Sequence, residues 1–292
     1  MHPTLSIIVP VLNEARNLPH VFAALPEDAE VIVVDGGSVD DTVEVARRLR
    51  PSAIVIEQTR RGKGNALACG FALASGEVIV MLDADGSTDP AEIPRFVEAL
   101  ADGADFAKGS RFRPGGGSDD ITPLRRLGNW GLNTLVNVLL GTRFTDLCYG
   151  YNAFRREVLA DLDLPAIDLP APRDGKKLWG DGFEIETLIN MRVAQAGYQI
   201  TEVPSVEAPR RYGESNLHAV RDGLRVLRTI VHEYVTGRRR RKARRDPGNE
   251  RRWVDMDRPQ PVVATTDDAS ARADDAVRVG MPPQLAGAEI GE

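Results

Sequence analysis

The chain has 292 residues, 42% hydrophobic and 27% charged, a composition that supports a globular protein with a sizeable core. Its net charge of −6 gives no general affinity for nucleic acid, and two distant cysteines, Cys69 and Cys148, make neither a disulfide framework nor a metal-ligand spacing. No apolar run approaches the roughly 20 residues that cross a bilayer, and the chain opens on a strand pattern rather than a secretory leader.

Residues 5–11 form an apolar run that ends in Pro10-Val11-Leu12-Asn13-Glu14, a buried strand entering a loop. Helical spacing follows at Leu18, Val21, Phe22 and Leu25. Residues 29–34 are a second β-branched run, followed by Asp35-Gly36-Gly37-Ser38 and a helix over about 41–50. Residues 54–57 predict a third strand, and Gly62-Lys63-Gly64-Asn65 opens the next helix. Residues 78–82 predict a fourth strand, which runs directly into Asp83-Ala84-Asp85. Strands alternating with helices of this length predict an α/β fold, a mainly parallel sheet with both faces covered. In such sheets ligands bind beyond the carboxyl ends of the strands. The polar clusters after Val11, Val34 and Leu82 all fall there.

The second half is less regular. Strands are expected at 106–111, 149–154 and 199–206, helices at 124–140 and 184–195, and loops at 114–118 and 163–177. Leu217, Val220, Leu224, Leu227, Val231 and Val235 form an apolar stripe at helical spacing, so an amphipathic helix over 217–236 closes the expected domain, residues 1–236. The remainder, 237–292, begins with a basic run from Arg238 to Arg245 in which seven of eight residues are Lys or Arg. Residues 246–292 carry few large apolar side chains and no periodicity, the composition of a disordered acidic tail.

Asp83 and Asp85, two carboxylates at i and i+2 after a wholly apolar strand, can reach one hard cation if the chain turns there. Mg2+ and Mn2+ take oxygen ligands and keep positions open for substrate phosphates. A turn or a helix cap would use the same residues, and Asp89-Pro90 nearby reads as a helix start. Asp35-Gly36-Gly37-Ser38 fits either a ligand-binding strand end or a plain turn capped by Ser38 or Asp40. Arg60-Arg61-Gly62-Lys63-Gly64-Asn65 offers Lys63 and a helix start to an anion. It lacks the first glycine and the Ser or Thr of a nucleoside triphosphatase loop. No Gly-x-Gly-x-x-Gly follows the first strand, which excludes the dinucleotide dehydrogenase pattern.

Taken together, residues 10–14, 35–42, 62–66 and 83–85 stand in the order and spacing that resembles family 2 glycosyltransferases with the GT-A fold. The likeness continues through Gly109-Ser110-Arg111, Asp146 to Asn152, Glu202-Val203-Pro204 and Arg211-Tyr212-Gly213-Glu214-Ser215-Asn216, and is similar to the polyprenyl-phosphate (dolichol-phosphate) mannosyl- and glucosyltransferase branch. The resemblance implies a Rossmann-like GT-A sheet with helices on both faces. It also implies donor contacts from Pro10, Asn13, Glu14, Asp35, Asp40, Lys63, Gly64, Asp83 and Ala84. Asp83 and Asp85 would bind Mg2+ or Mn2+, with Asp85 counted as catalytic. Arg111, Arg125 and Arg211, with Ser215, would grip an acceptor phosphate, because a planar guanidinium fork suits phosphate. The sequence departs from the branch at Ser87 (often Gln), Asn129 (often Ser) and Asn216 (often Lys), and carries no membrane anchor.

The implied reaction is inverting transfer of a hexose from a GDP-mannose or UDP-glucose type donor to a polyprenyl phosphate. The alternative acceptor is a glycan or small-molecule hydroxyl in cell-envelope polysaccharide synthesis, which needs a general base. Asp181 and Glu184 stand where other family members carry an acidic catalytic motif, although helix capping would also explain them. A sugar-phosphate nucleotidyltransferase is disfavoured, since the loop after the first strand is not a Gly-rich basic loop. The amphipathic helix fits either a terminal helix packed on the domain or, with the basic run, an interfacial helix on an anionic membrane surface, which would place a cytoplasmic protein peripherally on the inner face of the plasma membrane, with no nucleic-acid partner.

Overall fold

The computed structural model describes residues 3–213 and 219–244. The strands are β1 (Leu5–Val11), β2 (Glu30–Asp35), β3 (Ile54–Glu57), β4 (Val78–Met81), β5 (Phe106–Ser110), β6 (Gly117–Ser118), β7 (Asn152–Arg155), β8 (Ile200–Pro204) and β9 (Val206–Glu207). The helices are α1 (Leu18–Ala23), α2 (Thr42–Leu49), α3 (Lys63–Leu73), α4 (Ile93–Ala101), α5 (Pro123–Leu140), α6 (Leu159–Leu162), α7 (Ile185–Ala196) and α8 (Ala219–Arg244).

Seven strands make one sheet in the order β3-β2-β1-β4-β7-β5-β8. All neighbours are parallel except β7, which runs antiparallel to both β4 and β5. A two-stranded parallel ribbon, β6 with β9, lies apart from it. β1 shows why the expected sheet forms. Ile7, Val9 and Val11 belong to one apolar cluster, under α1, α2 and α4, while Ile8 belongs to the other, under α3 and α7. A strand apolar on both faces suits a sheet covered on both sides. A third cluster joins Val136 of α5, Met191 of α7 and Ile230 of α8 beside Phe144 and Leu147.

Helix boundaries have local causes. Thr122 caps α5, its hydroxyl accepting from the Arg125 amide at 3.3 Å, with Pro123 at the first helical position. Gly141 and Gly197 end α5 and α7 in the left-handed conformation. Four features differ from the sequence expectation. α4 is not anticipated beyond its start at Asp89, and α6 and the β6–β9 ribbon are not anticipated at all. α8 continues past the apolar stripe to Arg244, through most of the basic run. Among the described residues, no helix is long and apolar enough to cross a membrane.

Candidate active site

The carboxyl ends of β1, β2 and β4 open into a cleft of about 1200 Å³. Its lining includes Pro10, Leu12, Glu14, Gly36, Lys63, Asp83, Ala84 and Asp85. It also includes Leu124, Leu127 and Leu132 of α5 and Leu224 and Leu227 of α8.

Asp83 and Asp85 both line the cleft, with side chains 33% and 23% exposed. Each meets a cation of the chain. The Lys63 ammonium lies 2.6 Å from Asp83 Oδ1 and 2.6 Å from Glu186 Oε1. Burial opposes its charge, but the two carboxylates outweigh burial and hold Lys63 above its ordinary range. Asp85 Oδ1 accepts from the Ser87 amide at 3.0 Å and the Ser87 hydroxyl at 2.7 Å, and Oδ2 faces Arg210 Nη1 at 3.4 Å. Ser87, in the position often held by Gln, therefore orients the second aspartate. Among the described residues no group of three or more His, Cys, Asp or Glu could hold a metal. A hard cation here would take two carboxylates from the protein and complete its shell with water and phosphate oxygens, which is the habit of Mg2+ and Mn2+. The donor set fits.

Arg210 reaches across to Glu14 Oε1 as well, and its Nε donates to the Tyr212 carbonyl at 2.8 Å. Glu14 is buried, and desolvation raises its carboxyl above the ordinary range despite Asn17 and Arg210. The segment bearing Arg210 is strapped over β4 by Ala208 N–H to the Ser87 carbonyl at 2.9 Å and Arg211 N–H to the Asp85 carbonyl at 3.3 Å. Arg211 itself is exposed, away from the cleft lining, with Nη1 2.7 Å from His20 Nδ1. Of the two neighbours, it is Arg210 that lines the cleft in this structure. Ser215 lies outside the described residues.

Several expected donor contacts are occupied elsewhere. Asp35 accepts from the Gly37 and Ser38 amides at 3.0 Å each and from the Ser38 hydroxyl. Asp40 accepts from the Thr42 and Ala15 amides, and Asn13 Oδ1 from the Val39 amide at 2.8 Å. Asp40 and Asn13 tie the β1 and β2 loops together and Asp35 holds its own turn, leaving Gly36 and Gly37 to line the cleft. Gly64 is a packing glycine, since a Cβ there would lie 1.8 Å from the Gly180 carbonyl oxygen.

On the acceptor side, Arg111 lines the cleft but is buried in a fork with Asp146, Nε to Oδ2 at 2.7 Å and Nη2 to Oδ1 at 2.9 Å. Its Nη1 pairs with Glu207 at 2.9 Å. Asn129 donates to the same Asp146 at 3.2 Å. Arg125 is more open, lining the cleft with Nη1 3.1 Å from Asp120. Cys148 lines the cleft too, but burial, reinforced by Asp146, pushes its thiol up to about 12.

Neither expected base is free. Asp181 is 1% exposed and forked by Arg60, Nε to Oδ2 at 2.7 Å and Nη2 to Oδ1 at 2.9 Å. Arg60 also donates to the carbonyls of Ala166, Ile167 and Leu169, so the pair fastens the 163–177 loop. Glu184 accepts from the Gly180 and Gly182 amides at 3.0 and 3.1 Å, so its carboxylate holds the turn before α7 and does not cap the helix itself. The segment lines the cleft with Asp181, held by Arg60, and with Glu186, which sequence reading passed over. Its signal was an acid in the first turn of α7.

The sequence profile described as Glycosyl transferase family 2 matches residues 6–163. The chain belongs to this family. An undecaprenyl-phosphate mannosyltransferase of Micrococcus luteus is 34% identical over 220 residues, 72% of this chain and 86% of that protein. The polyprenol monophosphomannose synthase of Mycolicibacterium smegmatis is 36% identical over 223 residues, 72% and 80% of the two chains. Among solved structures, glucosyl-3-phosphoglycerate synthase from Mycobacterium tuberculosis, in complex with Mn2+, uridine diphosphate and glucosyl-3-phosphoglycerate, superposes with a TM-score of 0.61 at 23% identity over 80% of each chain. That likeness establishes the shared GT-A fold. The protein is a glycosyltransferase enzyme.

Proposed function

We propose that this glycosyltransferase transfers a hexose from a nucleoside-diphosphate sugar to the phosphate of a polyprenyl phosphate, with Mg2+ or Mn2+ at Asp83 and Asp85. The observation that carries the reading is that one cleft is lined both by the aspartate pair with Lys63 and Arg210 and by leucines of α5 and α8. The charged group suits a sugar nucleotide, and the leucines suit an isoprenoid chain. The names of the two mannosyl-transferring relatives point the same way.

In this reading Pro10, Leu12, Gly36 and Gly37 flank the nucleoside, while Lys63 and Arg210 face the diphosphate. The divalent cation, when bound, neutralises charge that develops on the departing diphosphate. An acceptor phosphate oxygen attacks the anomeric carbon from the opposite side, the bond to the diphosphate oxygen breaks, and configuration inverts. Arg125, the more open arginine, meets the acceptor phosphate, and Arg111 sets the wall behind it through Asp146 and Glu207. A phosphate is already anionic and needs no general base, in keeping with Asp181 and Glu184 being tied into structure. Peripheral attachment at the cytoplasmic face of the plasma membrane is part of the proposal. It is supported by the exposed row Leu224, Leu227, Val231 and Val235 on α8, next to the basic residues that begin at Arg238.

The test is incubation with GDP-mannose or UDP-glucose, with and without undecaprenyl phosphate, following lipid-linked sugar. Product that needs the lipid phosphate and a divalent cation is expected. Transfer to a hydroxyl acceptor with none to the lipid would overturn the acceptor assignment. Asp85→Ala is expected to abolish turnover while leaving the thermal midpoint nearly unchanged, because the carboxylate bonds only Ser87 and Arg210 in the structure.

A further inference from the structure

The crossing of Lys63, Asp83 and Glu186 carries an inference that rests on the donor reading above and deepens it. Lys63 is the first residue of α3 and Glu186 lies in the first turn of α7, so the two sides of the cleft meet through one ammonium group. Both distances are 2.6 Å, and the Lys63 and Glu186 side chains are 17% and 11% exposed. An ammonium has three donors, and two are engaged here. Gly150 borders the crossing: a Cβ there would lie in ordinary van der Waals contact with all three side chains, 3.4 Å from Lys63 Nζ and 3.5 Å from both Asp83 Oδ2 and Glu186 Cγ.

Lysine is a compact charge on a flexible four-carbon stem, so its place depends on what holds its end. With Asp83 alone as partner, Lys63 would compete with a cation for that carboxylate. A second carboxylate on the far side shares the ammonium and fixes it at the edge of Asp83. We propose that Glu186 is a positioning residue, holding the Lys63 ammonium where it meets the donor diphosphate while leaving Asp83 an oxygen for the cation. Asp181 and Glu184, the acids expected from the sequence, do not have this position; Glu186 does.

The experiment is a double-mutant cycle on the full chain with Lys63→Ala, Glu186→Ala and the double variant, together with Glu186→Gln. Affinity for GDP and UDP in the presence of Mg2+ is read by calorimetry, kcat is read beside it, and thermal unfolding confirms that each variant folds. Glu186→Ala is expected to weaken nucleotide binding by about tenfold in the wild-type background and to change nothing further once Lys63 is gone, as coupled neighbours do. Glu186→Gln, which keeps an oxygen toward the ammonium, is expected to restore most of the loss. An equal loss in both backgrounds, or wild-type affinity for Glu186→Ala, would overturn the inference. The failures are distinguishable: absence of lipid-linked product with nucleotide binding intact defeats the acceptor reading alone. Failure of the wild-type protein to bind either nucleotide defeats the donor reading and this inference with it.

Discussion

Arg192 of α7 and Glu233 of α8 form a forked ion pair, Nε to Oε2 at 2.8 Å and Nη2 to Oε1 at 3.0 Å, with the Glu233 side chain fully buried. Trp179 adds its indole N–H to Glu233 Oε1 at 2.9 Å. Removing one partner of a buried pair strands the other, at a cost of about 3–5 kcal/mol. Glu233→Ala is therefore expected to lower the denaturant midpoint strongly and to shift the Trp179 emission in the native state. An unchanged midpoint would mean that α8 is not fastened by this contact.

Arg210 and Arg211 are neighbours with opposite situations, one between Glu14 and Asp85 in the cleft, the other on the surface beside His20. Arg210→Ala is expected to reduce kcat by about 10²-fold, the scale for losing one aimed charge at a reacting centre. Arg211→Ala should change stability by no more than about 0.5 kcal/mol and leave most activity. Steady-state kinetics of the two variants side by side decides the assignment, and a reversed order would restore Arg211.

Lys108 is fully buried and donates to the carbonyls of Gly109 and Tyr149 at 2.8 and 2.7 Å. Burial pushes its ammonium down to about 8 from the ordinary 10.5, against the pull of Asp146 and Glu202 and with the push of Arg111. Between those values the unfolded chain binds the proton more tightly, so the lysine's destabilising contribution fades as pH rises. Below about 8 both states are protonated and the contribution is constant. Burial of Cys148 and Tyr149 raises their pKa and acts in the opposite sense at higher pH, so the comparison is made against Lys108→Met. The wild type is expected to gain stability relative to that variant by up to about 1.4 kcal/mol per pH unit above pH 8, read from urea unfolding. A constant difference would show that Lys108 titrates normally.

Membrane attachment gives a fourth expectation. The full chain should bind vesicles containing anionic lipid and release them as salt rises, each basic residue near the surface contributing about 1 kcal/mol. Truncation after Gly237 removes the basic residues and should abolish the salt-sensitive part. Equal binding by the truncated chain would assign the attachment elsewhere.

The sheet was legible because its strands are short β-branched runs that end on polar clusters, so Asp83 and Asp85 could be placed before any coordinates. Residues whose chemistry serves two purposes were not legible. An aspartate and a glutamate before a helix read equally as base or as cap, and in the structure Asp181 is tied to Arg60 while Glu184 holds the turn before α7. The stretch 208–213 has no period, so nothing in the sequence told which of two adjacent arginines turns inward. α4 was available: Ile93, Phe96, Val97 and Leu100 stand at the spacing of one helical face. The end of α8 was set by the end of its apolar stripe, whereas the backbone helix continues through Arg244 without it.

The start of α3 and the turn before α7 touch backbone to backbone, with Gly64 N–H donating to the Asp181 carbonyl at 2.9 Å. A single methyl at position 64 would wedge this seam apart. Lys63 and Glu186 sit on opposite lips of it, so a neutral Gly64→Ala exchange would part a charged couple that it never touches. The spacing of the charges that face the donor is thus written into a glycine, at position 64, that carries no chemistry of its own.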